Sequence, residues 1–396
     1  MPVRMIRNEE RLECEKIQSV AFVYPLDTAE LEKKIAVEPD PDAPYIGFFN
    51  DEGVITACMQ LPAYQARFEG NWVRMVGIGG VASLPEYRFG GAIRQIFKAA
   101  LRQMYESDTV FSSLYPFSHP YYRQFGYEVC QMSTEYEVPI QTLSKFRYTG
   151  KVRMLHPGDP IDGLKSVFDA HFLRYNLSIR REGSHWEKIL GKDAYKERVY
   201  TYLLEDDGGP SAYVVLAAED AGPYGKAGNV REVAFSHPQG LRDVLGFLYR
   251  LSAQYVKLRI TLPDDIPLSS LVDESYDLKV NYSNHQMTRV IHVQKALELK
   301  RHFEGAAYSL RVHDDCIAEN DGAYCVRCEH GRVTAERKEG LEEADLNVDV
   351  RTLAQLLLGF LSIDEAMYKT DVQVNANLET LRSVFAKQQV FLTDHF

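Results

Sequence analysis

The 396-residue chain is short of several things, and each shortage excludes a class of protein. No stretch approaches the ~18 consecutive apolar residues of a membrane-spanning helix, so no span is expected. Cysteine occurs only six times, which argues for reduced thiols rather than a disulfide framework. Positive charge is in the minority, with 45 Lys+Arg against 56 Asp+Glu and a net charge of −11. That balance argues against nucleic acid or an anionic membrane as the main partner, and it is compatible with a cationic small substrate. The opening MPVRMIRNEERLECEK has no apolar core and does not read as a secretory signal, so a cytoplasmic location is expected. Short repeats of the solenoid or propeller kind are missing too.

What is present is ordinary globular material, 45% hydrophobic and 26% charged, long enough for two to four domains. Punctuation suggests three blocks. The first, residues 1–147, mixes strands and helices. The second, 148–286, opens on the basic strand and turn KVRMLHPGDP and holds acidic, glycine-rich loops at 205–210 and 219–229. The third, 287–396, starts with a strand-then-helix pattern and contains two apolar helical patterns, around Leu353–Leu361 and Leu378–Phe385. Its last residues, QQVFLTDHF, read as extended and apolar.

Residues 71–127 carry the most information. Residues 72–84 are apolar on both faces, as in a buried central strand. Gly77, Gly79 and Gly80 inside that run point to a bulge or to a close backbone approach. After Pro85 comes Arg88-Phe89-Gly90-Gly91-Ala92-Ile93 and then a helix. Its apolar face is Ile93, Ile96, Phe97, Ala100, Leu101 and Met104, with Arg94, Lys98 and Arg102 off that face. A second strand, TVFSSLY, and the aromatic turn PFSHPYYRQFGY follow. A glycine turn opening a helix can cradle phosphate, because free N–H groups and partial positive charge gather there and Arg88 adds a full charge. The same glycines also suit a plain strand-to-helix turn. Neither GIGGVAS nor GPYGKAG has the spacing of a Rossmann or P-loop motif.

This order of strand, P-x-x-R-x-x-G turn, amphipathic helix, strand and Y-x-x-F-G-Y turn resembles the acetyl-CoA signature of GNAT N-acetyltransferases. The second half reads Tyr122-Arg123-Gln124-Phe125-Gly126-Tyr127. Ile93 stands where most of that family has Gly or Ala. A bulky aliphatic there is similar to the enhanced intracellular survival (Eis) branch, and the resemblance covers the whole chain. It implies an α/β (α+β) fold: tandem GNAT acyltransferase folds, each a mixed central sheet flanked by helices, plus a C-terminal sterol-carrier-like domain. The second block has no Arg/Gln-x-x-Gly turn in REVAFSHPQGLRDVLGFLYRL, so it is expected to bind no acetyl-CoA.

The reaction so implied is aminolysis of the thioester of acetyl-CoA. Arg88 and the N–H groups of Phe89, Gly90, Gly91, Ala92 and Ile93 would hold the pyrophosphate. Val81, Ala82 and Ser83 would pair with the pantetheine arm, and an N–H of the same strand would face the oxyanion. Tyr122 is the candidate general acid for the leaving thiolate, with Tyr121 and Tyr127 as near competitors. A phenol at its reference pKa of about 10 is neutral at pH 7 and able to donate. In the Eis branch the chain's terminal carboxylate acts as base, which here is that of Phe396. Phe22 and Tyr24, in a helical segment AFVYP, would line the acceptor pocket or else be core aromatics. Aminoglycoside- or polyamine-like amines, a homo-oligomer of hexamer type and no metal are further implications.

Cys325-Val-Arg-Cys328 with His330 invites a zinc reading, but a single CxxC on a strand pattern puts its cysteines on opposite faces, which favours structural cysteines. His119 could assist proton movement or only contact the cofactor, and His395 could bias against a cation when protonated. Two other functions compete. One is a lipid-binding protein with a vestigial acetyl-CoA site. The other is an acyltransferase using a longer acyl-CoA.

Overall fold

The structure is a computed structural model that describes every residue except Met1, 38–42, 191–192, 221–224, 284–285, 342, 393 and 395, together with the side chains of Lys34, Val37 and Ser184. The chain divides into two units. Unit 1 holds residues 1–130, 285–388 and 394–396, and unit 2 holds 131–284 and 389–393.

Unit 1 contains an eight-stranded and a five-stranded sheet. The larger sheet uses β1 (Val3–Met5), β2 (Tyr45–Phe49), β3 (Ile55–Gln60), β4 (Ala63–Phe68), β5 (Asn71–Ser83), β6 (Phe111–Leu114) and β7 (Glu128–Val129). An eighth strand, Met287–Val290, arrives from much later in the chain and pairs antiparallel with both β6 and β7. Among the described residues of this sheet only β5 and β6 run parallel, as expected of strands joined by a helical crossover. The helices of residues 1–130 include α1 (Arg11–Phe22), α2 (Thr28–Val37), α3 (Ala92–Glu106) and α4 (His119–Arg123). The i, i+3/i+4 apolar spacing of α3 buries Ile96, Phe97, Ala100, Leu101 and Met104 against Ile46, Met59, Val76, Ile78 and Leu114 of the sheet. Ile93 at its start is half-buried.

The five-stranded sheet of unit 1 is built around the parallel pair Ala307–His313 and Leu346–Asp349. The two apolar patterns expected near the end of the chain are helices Val350–Leu358 and Leu378–Val384. Cys325 and Cys328 sit on the strand Gly322–Glu329.

Unit 2 is a seven-stranded sheet in the order Lys279–Ser283, Ser133–Pro139, Tyr255–Pro263, Lys226–Phe235, Gly209–Asp220, Val199–Asp206, Lys151–Leu155. Its one parallel pair among the described residues, Lys226–Phe235 with Tyr255–Pro263, is again joined by an amphipathic helix, Pro238–Arg250. The segment QQVFLTDHF is divided between the units. Val390, Phe391 and Leu392 are buried in unit 2, where Val390 bridges to Asn176.

Candidate functional site

The site begins where two strands part. β5 pairs with β6 only from Met75 to Ile78 and then continues to Ser83 bonded to β3 on its other side. Among the described residues no strand covers the β6-side edge at Val81, Ala82 and Ser83. That edge can accept an extended ligand as an added strand.

Past β5 the chain makes a short turn, Pro85–Tyr87, and reaches Arg88 in extended conformation. Phe89 and Gly91 both take left-handed angles, φ 67° and 76°, and Gly91 caps α3. A side chain at Gly91 would meet nothing within 4 Å, so the helix N-terminus opens to solvent. Phe89 is fully exposed, and the exposed Arg88 has no hydrogen-bond or ion-pair partner among the described residues. An unpartnered guanidinium beside the free N–H groups of a 15-residue helix suits a pyrophosphate.

Tyr122 lies on α4, buried, with its ring edge-on to Phe97 of α3 and to Phe117. Its hydroxyl makes no hydrogen bond among the described residues. Burial, with smaller contributions from Tyr121 and Tyr127, raises its pKa above the ordinary phenol value. Of the two competitors, Tyr127 is engaged by Ser112 at 2.7 Å. Tyr121 is half-buried and packs edge-on against Phe125. His119 is the first residue of α4.

Two of the three glycines of β5 are explained by Phe396. A methyl group at Gly77 would fall 2.5 Å from the Phe396 ring, so only glycine admits the ring there. A methyl group at Gly79 would fall 3.2 Å from the Phe396 carboxyl carbon. The ring packs against Tyr64 of β4 at 5.1 Å and edge-on to Tyr115 at 5.7 Å. Tyr115 also donates a hydrogen bond to the Asp394 carbonyl at 3.0 Å. The close approach expected from the three glycines is therefore made by Phe396 at Gly77 and Gly79, and by the Gln18 side chain at Gly80, whose φ of 54° also favours glycine. A register shift of β3 against β5 accompanies it.

The helix read through AFVYP stops earlier. α1 ends at Phe22, and Val23 takes a left-handed angle of 57°. Tyr24 precedes Pro25, which disfavours helical angles for it. Phe22 is 52% and Tyr24 37% exposed, so neither is a core aromatic. No hydrogen bond or ring contact joins Phe22 to Phe396 among the described residues. Tyr24 instead donates to Glu15 at 3.4 Å. Tyr64, Tyr115, Gln60 and Glu15 were not foreseen. Their signal lies in strand register, not in a local motif. His395 lies outside the described residues.

Unit 2 fills the matching helix start with its own groups. His237 caps Pro238–Arg250 by accepting from the Gly240 N–H, and its other ring nitrogen faces Asp206 at 3.0 Å. A carboxylate in that place disfavours phosphate.

The profile of the acetyltransferase (GNAT) domain matches residues 2–130, a second GNAT-domain profile matches 177–290, and that of the sterol carrier protein domain matches 293–393. No match is found among curated proteins. A probable N-acyltransferase from Enterococcus faecalis is 24% identical with a TM-score of 0.86, over 100% of this chain and 99% of its own. A GCN5-related N-acetyltransferase from Anabaena variabilis is 20% identical with a TM-score of 0.86 over all of both chains. Eis1 from Mycobacterium abscessus is 18% identical with a TM-score of 0.80, over 100% of this chain and 99% of its own. At such identities the likeness is one of fold. The chain therefore carries two GNAT acetyltransferase domains followed by a sterol carrier protein domain.

Proposed function

We propose that the protein is an acetyl-CoA-dependent N-acetyltransferase acting directly on amino groups of a cationic, aminoglycoside- or polyamine-like small molecule. Arg88 and the start of α3 hold the pyrophosphate, and the free edge at Val81–Ser83 pairs with the pantetheine arm. The amine nitrogen attacks the acetyl carbonyl carbon, and the carbon–sulfur bond breaks. Tyr122 gives the departing sulfur its hydroxyl proton and recovers one, through solvent, from the nitrogen as the tetrahedral intermediate collapses to the amide. The carboxylate of Phe396 attracts the ammonium and accepts its proton. Phe22 and Tyr24, exposed at the end of α1, line the acceptor side.

The observation that carries this reading is the Phe396 carboxyl group lying on β5 at Gly79, one residue past the point where β5 and β6 separate. An anion placed there meets whatever enters the opening. Thiol release from acetyl-CoA, measured against aminoglycosides, polyamines and peptide amines, tests it. Turnover on a cationic class is the expected result. Acetyl-CoA binding without turnover on any class would overturn the choice of acceptor. Loss of both would favour the lipid-binding reading instead.

A further inference from the structure

Beside Phe396, unit 1 holds a chain of hydrogen bonds that the mechanism above leaves unused. Gln60 ends β3 directly opposite Gly79 of β5. Its Nε2 donates to the Tyr45 hydroxyl at 2.7 Å. Tyr45, buried on β2, donates in turn to Glu15 Oε1 at 2.6 Å. Tyr24 donates to the other oxygen of the same carboxylate at 3.4 Å. Burial, together with the hydrogen bond to Glu15, raises the Tyr45 pKa, so the phenol keeps its proton.

Glu15 fixes the direction of this chain. An ionised carboxylate only accepts hydrogen bonds. Tyr45 spends its single proton on Glu15 and can then only accept from its next neighbour. Gln60 must therefore turn its NH2 group toward Tyr45 and its carbonyl oxygen the other way. That oxygen faces the place already occupied by the terminal carboxyl. A methyl group at Gly79 would lie 3.6 Å from Gln60 Oε1 and 3.2 Å from the Phe396 carboxyl carbon. Two acceptors, one charged and one neutral, thus lie side by side at Gly79, and a primary ammonium offers three N–H donors to such a pair.

We propose that Gln60 Oε1 is a second acceptor for the substrate's ammonium beside the Phe396 carboxylate, and that Glu15, acting through Tyr45, is the positioning residue that keeps this oxygen facing the site. The pair selects primary ammonium over quaternary ammonium, because only the former has protons to donate. This rests on the reading of the Phe396 carboxylate given above, and the experiment separates the two.

Binding of 1,6-diaminohexane and of hexamethonium, its hexamethylated dication, to the CoA-bound protein is measured by calorimetry. The proteins compared are the wild type, Gln60→Leu, Glu15→Gln, the double variant and a chain lacking Phe396. Gln60→Leu is expected to weaken diaminohexane about tenfold, as for a lost hydrogen bond to a charged group. Hexamethonium and CoA affinities should stay within twofold, which excludes a general loss of structure. Glu15→Gln should weaken diaminohexane on its own and add nothing in the Gln60→Leu background, the non-additivity of residues acting in series. If removing Phe396 weakens diaminohexane but Gln60→Leu does not, this inference is overturned and the carboxylate reading stands. If the wild type binds no diamine, or loss of Phe396 changes nothing, the carboxylate reading falls and takes this inference with it.

Discussion

Tyr122 and Arg88 carry the proposed chemistry, and each has its own readout. Tyr122 has a hydroxyl with no hydrogen bond among the described residues and a pKa held above the phenol value by burial. A group whose pKa is raised keeps its proton to higher pH, so Tyr122 stays a competent acid across the neutral and mildly alkaline range. The pH profile of kcat should show no basic limb from this residue below about pH 10. Tyr122→Phe should lower kcat roughly 10²–10⁴-fold with the KM for acetyl-CoA little changed, whereas Tyr121→Phe should leave kcat within a few-fold. Arg88 is exposed and has no hydrogen-bond or ion-pair partner among the described residues, so Arg88→Ala should raise the KM for acetyl-CoA about tenfold and leave thermal stability unchanged. Arg289 is the opposite case. Its guanidinium is fully buried, bonded to both oxygens of Asp314 and, at 2.6 Å, to the Phe125 carbonyl just after α4. Removing one partner of such a pair strands the other charge. Asp314→Asn should therefore destabilise unit 1 by about 3–5 kcal/mol, read in urea unfolding.

At the scale of elements, β5 is the piece around which the site is built. Gly77→Ala places a methyl group 2.5 Å from the Phe396 ring. It should displace the terminal residue, lower kcat at least tenfold, and leave the acetyl-CoA dissociation constant within twofold. A separate prediction concerns the helix Asp162–Phe172 of unit 2. There His171 is buried, its Nδ1 beside the Phe235 carbonyl and its Nε2 without a hydrogen bond. Burial first, and the charge of Arg174 second, push its pKa down to about 3. The unfolded chain takes up this proton below pH ~6.5 and the native state does not until about pH 3, so stability falls as pH drops through that window. Between pH 7 and 5 the wild type should lose about 2 kcal/mol more than His171→Leu in urea unfolding. Equal losses would refute the assignment. Periodicity made β5, α3 and the strand before the aromatic turn legible, because each buries a regular apolar face. Tyr122 and the Arg88–Ile93 turn were legible as local spacing. The strand Met287–Val290 was not, since its partners β6 and β7 lie more than 150 residues away in sequence and no local pattern encodes that pairing. Gln60, Tyr45 and Glu15 were missed for the same reason. They meet only when β2, β3 and α1 are brought together.

For the whole molecule, the chain's two ends of interest are reached in separate ways. The strand Met287–Val290 joins the first sheet after the chain has built unit 2, and residues 394–396 return to unit 1 after five residues counted with unit 2. A local signature therefore serves for the proposed cofactor half of the site, while the proposed acceptor half draws on the early part of the sequence and on its last residue. Any change at the last residue should act on turnover without acting on cofactor binding. The most direct test is to prepare the protein with its terminal carboxyl converted to a carboxamide, which keeps the Phe396 ring and removes only the charge. With a polyamine acceptor, the account predicts a fall in kcat of at least a hundredfold at pH 7 and an acetyl-CoA dissociation constant within twofold of the unmodified protein. A carboxamide protein that turns over at the unmodified rate would contradict it.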